Sequence, residues 1–228
     1  MLKYLQLPFH FDADRMREDV RSLDKKTWQL HYQKLHYEGE WSAIPLRSVG
    51  GQADNIIIAP QENAIYQNTL FLQACPYLQT VLQTFKCPLQ AVRLLKLNAG
   101  AIIKEHHDAE LNFEKGEIRI HIPVITHDDV EFYLDSERMN LKEGDCWYMN
   151  FNLKHSIINN SKINRIHLVI DALVNDWVAA LFAQPALNKK EIAEKGIDPE
   201  TKKLIIAQLR QLDTDTSNRM ADEMEASL

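Results

Sequence analysis

Lys104-Glu105-His106-His107-Asp108-Ala109 sets two imidazoles and a carboxylate in a row, after the alternating run 92–97 and a turn at 98–100. Read as the end of a strand, the stretch alternates faces. His106 and Asp108 then point one way and His107 the other. His107 competes with His106 as a ligand, and the alternation with Asp108 favours His106. A divalent ion held on that face needs one more nitrogen. His155, in Asn152-Leu153-Lys154-His155-Ser156-Ile157, supplies it. Two histidines and a carboxylate form the ligand set that holds non-haem Fe(II) and leaves positions open for substrate and oxygen. Arg165 follows ten residues later, at the head of an apolar strand.

Outward from this stretch the chain reads as short strands. Glu117-Ile-Arg-Ile-His-Ile-Pro-Val-Ile-Thr126 puts Ile118, Ile120 and Ile122 on one face, Arg119 and His121 on the other. That strand reads either as a wall of a polar-lined barrel or as a surface strand with a solvated face. Residues 130–134, 139–141 and 146–151 are further strands between turns. Residues 156–159 and 165–173 read as a hairpin, with Arg165, His167, Val169 and Asp171 sharing a face. The triplet Arg-Ile-His thus occurs twice. Short strands at this spacing predict an antiparallel double-sheet jelly roll, mainly β, with helices of the first ~90 residues covering one sheet.

The N-terminal part offers a strand at 2–7 and a helix capped by Asp12 or Asp14 that runs through Met16, Val20 and Leu23. Residues 28–37, rich in aromatics and holding His31 and His36, read as a strand packed on the sheet rather than a second metal site. Arg47 is the single charge in the apolar strand around Ile44 and Leu46. It either snorkels to solvent or holds a substrate carboxylate. Residues 69–85 are amphipathic, with Pro76 at a helix start or break. From Asn175 the pattern turns helical. Residues 1–184 therefore read as one β domain and 185–228 as a strandless helical extension with a frayed polar end, placed to make a homodimer contact or a lid.

Composition excludes other classes. With 228 residues and 45% hydrophobic content the chain buries a full core. A formal charge of −6, with acids and bases mixed, argues against nucleic-acid binding. Cys75, Cys87 and Cys146 form no CxxC pair and read as reduced thiols of a cytoplasmic protein. The first residues offer neither a signal peptide nor a membrane span.

The sequence resembles the aspartyl/asparaginyl β-hydroxylase family of Fe(II)/2-oxoglutarate dioxygenases, which includes free-proline hydroxylases. The resemblance runs from about Trp41 to Trp177. It is carried by Gly39-Glu-Trp-Ser with Pro45-Leu-Arg47, Leu97-Asn-Ala-Gly-Ala-Ile-Ile-Lys-Glu-His-His-Asp108, Arg119-Ile-His-Ile-Pro123, Gly144-Asp-Cys-Trp147, His155-Ser156 and Arg165-Ile-His-Leu-Val-Ile-Asp171. It implies a double-stranded β-helix (cupin-like), Fe(II) on His106, Asp108 and His155, and 2-oxoglutarate on Arg165. Arg119 and His121 match positions that family members use for cosubstrate or substrate carboxylates. The animal protein hydroxylase of the family lacks the acidic ligand. The presence of Asp108 sets this chain nearer the bacterial branch.

The activity so implied consumes 2-oxoglutarate and O2, releases succinate and CO2, and hydroxylates an unactivated C–H of an amino acid, free or in a peptide. Arginine suits the far carboxylate of 2-oxoglutarate, because its planar fork pairs a carboxylate bidentately. Two other readings stand: a cupin-type Zn or Mn isomerase or hydrolase, and a non-catalytic jelly-roll binding module.

Overall fold

Ile118, Ile120, Ile122 and Val124 project from one side of their strand, Arg119 and His121 from the other, and both sides are buried. A strand with two buried faces needs a layer on each. One is a second sheet and the other a set of helices. The structure, a computed structural model, describes residues 1–57, 64–109, 111–193 and 199–226.

In chain order the strands are β1 (Leu2–His10), β2 (Gln29–Leu30), β3 (Tyr37–Glu38), β4 (Trp41–Val49), β5 (Tyr66–Asn68), β6 (Leu89–Leu97), β7 (Ile102–His106), β8 (Glu117–Ile125), β9 (Val130–Leu134), β10 (Glu137–Met139), β11 (Asp145–Met149), β12 (His155–Asn159), β13 (Arg165–Leu173) and β14 (Lys189–Glu191). The helices are α1 (Ala13–Ser22), α2 (Leu70–Gln73), α3 (Pro76–Gln83), α4 (Asp176–Phe182), α5 (Pro199–Leu212) and α6 (Asp215–Glu225).

Strands β6 to β13 cross between two antiparallel sheets at every step except the β9–β10 hairpin. The larger runs β11-β8-β13-β6 and the smaller β10-β9-β12-β7. This winding is the expected jelly roll, a double-stranded β-helix. On the larger sheet β1 and β14 extend one edge, β4, β2 and β5 the other. β12 and β13 lie in different sheets, so the hairpin read at 156–173 is instead a crossover. Buried Asn159 fixes it: its amide donates to the carbonyls of Leu97, Asn98 and Ile163.

Two clusters make the core. The outer one packs the isoleucine face of β8 and β13 against Met16 and Val20 of α1, Leu78 and Val81 of α3, and Val178 and Phe182 of α4. Fully burying one such side chain contributes about 1.5–3 kcal/mol. Asp19 of α1 accepts from the Leu78 amide at 2.8 Å, capping α3 where Cys75 provides no side-chain cap. The inner cluster lies between the sheets and includes Trp41, Leu97, Ile103, Phe132, Trp147, Phe151 and Val169.

Leu2–Glu191 form one compact unit, and Met1 with Ile192–Leu228 a second. β14 pairs with β1, so the extension is not strandless. Its polar end is not frayed either. α6 opens on a Thr214–Ser217 capping box, and Arg210 of α5 pairs with Asp222 and Glu225.

Candidate metal centre

β7 and β12 are neighbours, with His106 opposite His155. Two residues past His106 the chain leaves the strand, and the Asp108 amide donates to the Phe151 carbonyl at 2.8 Å. His106, Asp108 and His155 each offer a ligand atom, and these lie within 4.8 Å of one another. The Nδ1 of His106 lies 2.7 Å from the Lys104 carbonyl, and that of His155 lies 3.1 Å from the Leu153 carbonyl. A carbonyl only accepts, so both Nδ1 atoms carry the proton and both Nε2 lone pairs are left for a metal. His155 is buried. That burial, aided by His106, pushes its pKa down to about 4 and keeps it a neutral ligand. His107 is exposed and outside the cluster.

A buried charge network stands behind the acid. Arg119 donates through Nη1 to Asp108 Oδ2, through Nε to Asp171 Oδ1 at 2.6 Å and through Nη2 to Asp171 Oδ2 at 3.2 Å. Arg93 also reaches Asp171 Oδ2, at 3.2 Å. Burial disfavours charge on Asp108, but Arg119 and the two histidines hold its pKa below the usual carboxylate value. Burial likewise opposes the Arg119 cation, and Asp171 and Asp108 outweigh it, raising its pKa. All three nitrogens of Arg119 are thus engaged by carboxylates of the chain itself. Beside the expected place among the carboxylate-binding residues, these bonds give Arg119 a role in orienting Asp108.

The other Arg-Ile-His triplet lies at the far end of the same face. His155 packs edge-on to Phe151, with ring centroids 4.7 Å apart, and Phe151 stacks on His121 at 4.8 Å. His121 Nδ1 lies 3.3 Å from His167 Nδ1, which accepts from Arg165 at 2.9 Å. Burial first, then the Arg165 charge, holds both imidazoles neutral, well below 6.5. Arg165 is 1% exposed, its Nε has no partner, and none of the described carboxylates pairs with it. Burial alone pushes its pKa down to about 9. A cavity of about 620 Å³ ends on Arg165 and His167, and none of the three ligand candidates lines it.

Arg47 is not brought to this centre. A register shift between Pro45 and Arg47 takes it off the inner face, and it bonds the Leu89 carbonyl and Asn68 in a hollow beside α2 and α3. Two neighbours escaped the sequence reading. Residues 28–37 are not one strand: the two-residue β2 is followed by a single 3-10 turn, Lys34–His36, before β3. The turn at Lys34–His36 sets His36 beside His106, with ring centroids 5.1 Å apart. Arg93 looked like one more polar position in an alternating strand. Its only signal was a lone charge among apolar neighbours, the same signal that Arg47 gave.

Residues 10–174 match the family model described as aspartyl/asparaginyl beta-hydroxylase. The chain belongs to this family. It is 27% identical over 164 residues to an L-proline cis-4-hydroxylase of Rhizobium meliloti, covering 71% of this chain and 57% of that protein. It is 24% identical over 136 residues to an L-proline cis-3-hydroxylase of Streptomyces, covering 58% and 47%. The chain thus spans about half the length of the curated relatives it matches. A solved prolyl-4-hydroxylase of Pseudomonas putida aligns with a TM-score of 0.49 at 11% identity, over 77% of this chain and 94% of that one. No helix among the described residues is long and apolar enough to cross a membrane.

The donor set of this family member fits a ferrous ion: two imidazoles whose Nδ1 atoms face carbonyls, so that Nε2 is offered, and one carboxylate held ionised. Arg119 occupies one oxygen of Asp108, leaving Oδ1 on the side of His106, 4.0 Å from its Nε2.

Proposed function

We propose that the chain is an Fe(II)- and 2-oxoglutarate-dependent dioxygenase that hydroxylates an unactivated C–H of an amino acid, free or in a peptide, with release of succinate and CO2. The observation that carries this reading is a metal-ligand trio and a buried, unpaired arginine on one continuous interior face. Unpaired buried charge is unfavourable. Arg165 calls for an anion to complete it, and a metal centre beside it calls for one with a chelating end. 2-Oxoglutarate has both. A Zn or Mn isomerase would leave Arg165 without a counter-ion.

His106, Asp108 and His155 would hold the iron, which when bound supplies the redox chemistry that couples oxidative decarboxylation of the 2-oxo acid to C–H hydroxylation. The protein contributes position. Lys104 and Leu153 carbonyls fix the two imidazoles, and Arg119 restrains Asp108. Arg165, its orientation set by neutral His167 and its guanidinium over the Phe132 ring, takes the distal carboxylate. The hydroxylated substrate would approach on the side of His36 and His106. The names of the curated relatives support an amino acid of the proline type as substrate. Three unpaired cysteines fit a reducing, cytoplasmic setting.

The test is a screen of free amino acids and short peptides with Fe(II), 2-oxoglutarate and oxygen, scored by succinate release and a gain of one oxygen in mass. One compound should raise succinate release and gain the oxygen, and His155→Ala should abolish both. Equal succinate formation by wild type and His155→Ala would remove the assigned centre.

A further inference from the structure

We propose that 2-oxoglutarate and succinate exchange through the end of the barrel opposite the metal ligands, by a passage separate from that of the hydroxylated substrate. This rests on the reading of Arg165 as the carboxylate clamp. The antiparallel register of β8 and β13 sets the two ends. Asp171 lies opposite Arg119, which holds Asp108, so that end belongs to the metal. Six residues earlier, Arg165 begins β13 beside Ile166, which lies opposite Ile125 at the end of β8. The two ends of β13 thus carry Asp171 on the metal side and Arg165 on the other.

The cavity opens at this second end. The β8–β9 turn and the β10–β11 loop form its rim, through Thr126, His127, Arg138, Asn140 and Lys142, and its floor is Arg165 with His167. Its volume of about 620 Å³ is in the range of small-molecule sites. The floor is a guanidinium, 1% exposed, with an unpartnered Nε and no carboxylate. The rim acids do not cancel the rim cations. Glu143 is already paired with Arg17 and accepts from the Thr126 amide, which leaves Asp128 against Arg138 and Lys142. A net positive rim over a cationic floor attracts a dianion and raises its capture rate.

A passage and a binding site respond differently to obstruction. Narrowing a passage slows entry and exit by the same factor and leaves Kd unchanged, whereas damage to a site changes Kd. Binding of 2-oxoglutarate to anaerobic, Fe(II)-loaded protein is followed by stopped-flow, from the fluorescence of the native tryptophans, without turnover. Asn140→Phe, at an exposed rim position, should slow both rate constants about tenfold at constant Kd. Lys142→Glu should lower the association rate several-fold, with the difference shrinking at high salt. Wild-type association rates in both variants would overturn the passage, as would an Asn140→Phe effect confined to dissociation. Arg165→Leu separates the two readings. If it binds 2-oxoglutarate with wild-type Kd, the clamp itself is wrong. If it loses binding while Asn140→Phe keeps wild-type rates, only the passage is.

Discussion

Asp171 carries two guanidinium groups, those of Arg93 and Arg119, and through Arg119 it sets where Asp108 sits. Removing one partner of a buried ion pair strands the other, at a cost of about 3–5 kcal/mol. Asp171→Asn should therefore lower stability by about that amount in urea denaturation, and weaken Fe(II) binding about 10–100-fold through the loosened Asp108. An unchanged denaturation midpoint would show that the network is dispensable. Arg165 predicts the reverse. It is buried without an acid, so Arg165→Leu should hold or raise stability while 2-oxoglutarate binding is lost. A thermal scan with and without 2-oxoglutarate checks both, and a marked loss of stability would contradict the unpaired-cation reading. The trio and Arg165 were legible in the sequence because the chemistry specifies residue types. Arg93, His36 and the second role of Arg119 were not. Each depends on a contact between positions distant in sequence, and no local pattern encodes it.

Turns that join the sheets are as specific as the strands. Gly144 has φ +82, donates to the Pro123 carbonyl and accepts from the Phe11 amide, and a Cβ there would meet the Phe11 carbonyl oxygen at 2.3 Å. Gly100 has φ +75 with open space around it. Alanine at either carries the left-handed penalty of about 1–2 kcal/mol. Gly144→Ala adds a backbone collision, so it should depress Tm well beyond Gly100→Ala. Equal shifts would mean that the β10–β11 loop moves freely. Strand alternation was readable in β8 and β13, where one face is isoleucine and the other polar. It failed at residues 28–37, whose aromatic content suggested a strand. Their apolar groups instead pack locally, His31 stacking on Trp41 at 3.5 Å. It failed again at the β12–β13 crossover, because a turn between neighbours in sequence looks the same whether the strands pair or part.

Four histidines of the β unit share one electrostatic condition. Burial is the largest cause in each: His31 is held down to about 3, His155 to about 4, and His121 and His167 well below 6.5. The folded state keeps them neutral, while the unfolded chain protonates near pH 6.5. Their stabilisation is therefore complete above about pH 7, declines as pH falls from 6.5 toward 4, and for His31 continues to about 3. Each histidine contributes a slope on the order of 1 kcal/mol per pH unit in that window. Metal-free protein should lose Tm steadily between pH 7 and 5, and a flat Tm over that range would contradict the buried neutral set. The same neutrality leaves the His155 imidazole ready for a cation at neutral pH. The account as a whole is tested most directly by anaerobic equilibrium dialysis of Fe(II) against wild type and His155→Ala at neutral pH. It predicts one equivalent retained by the wild type and none by the variant, and equal retention by the two would contradict it.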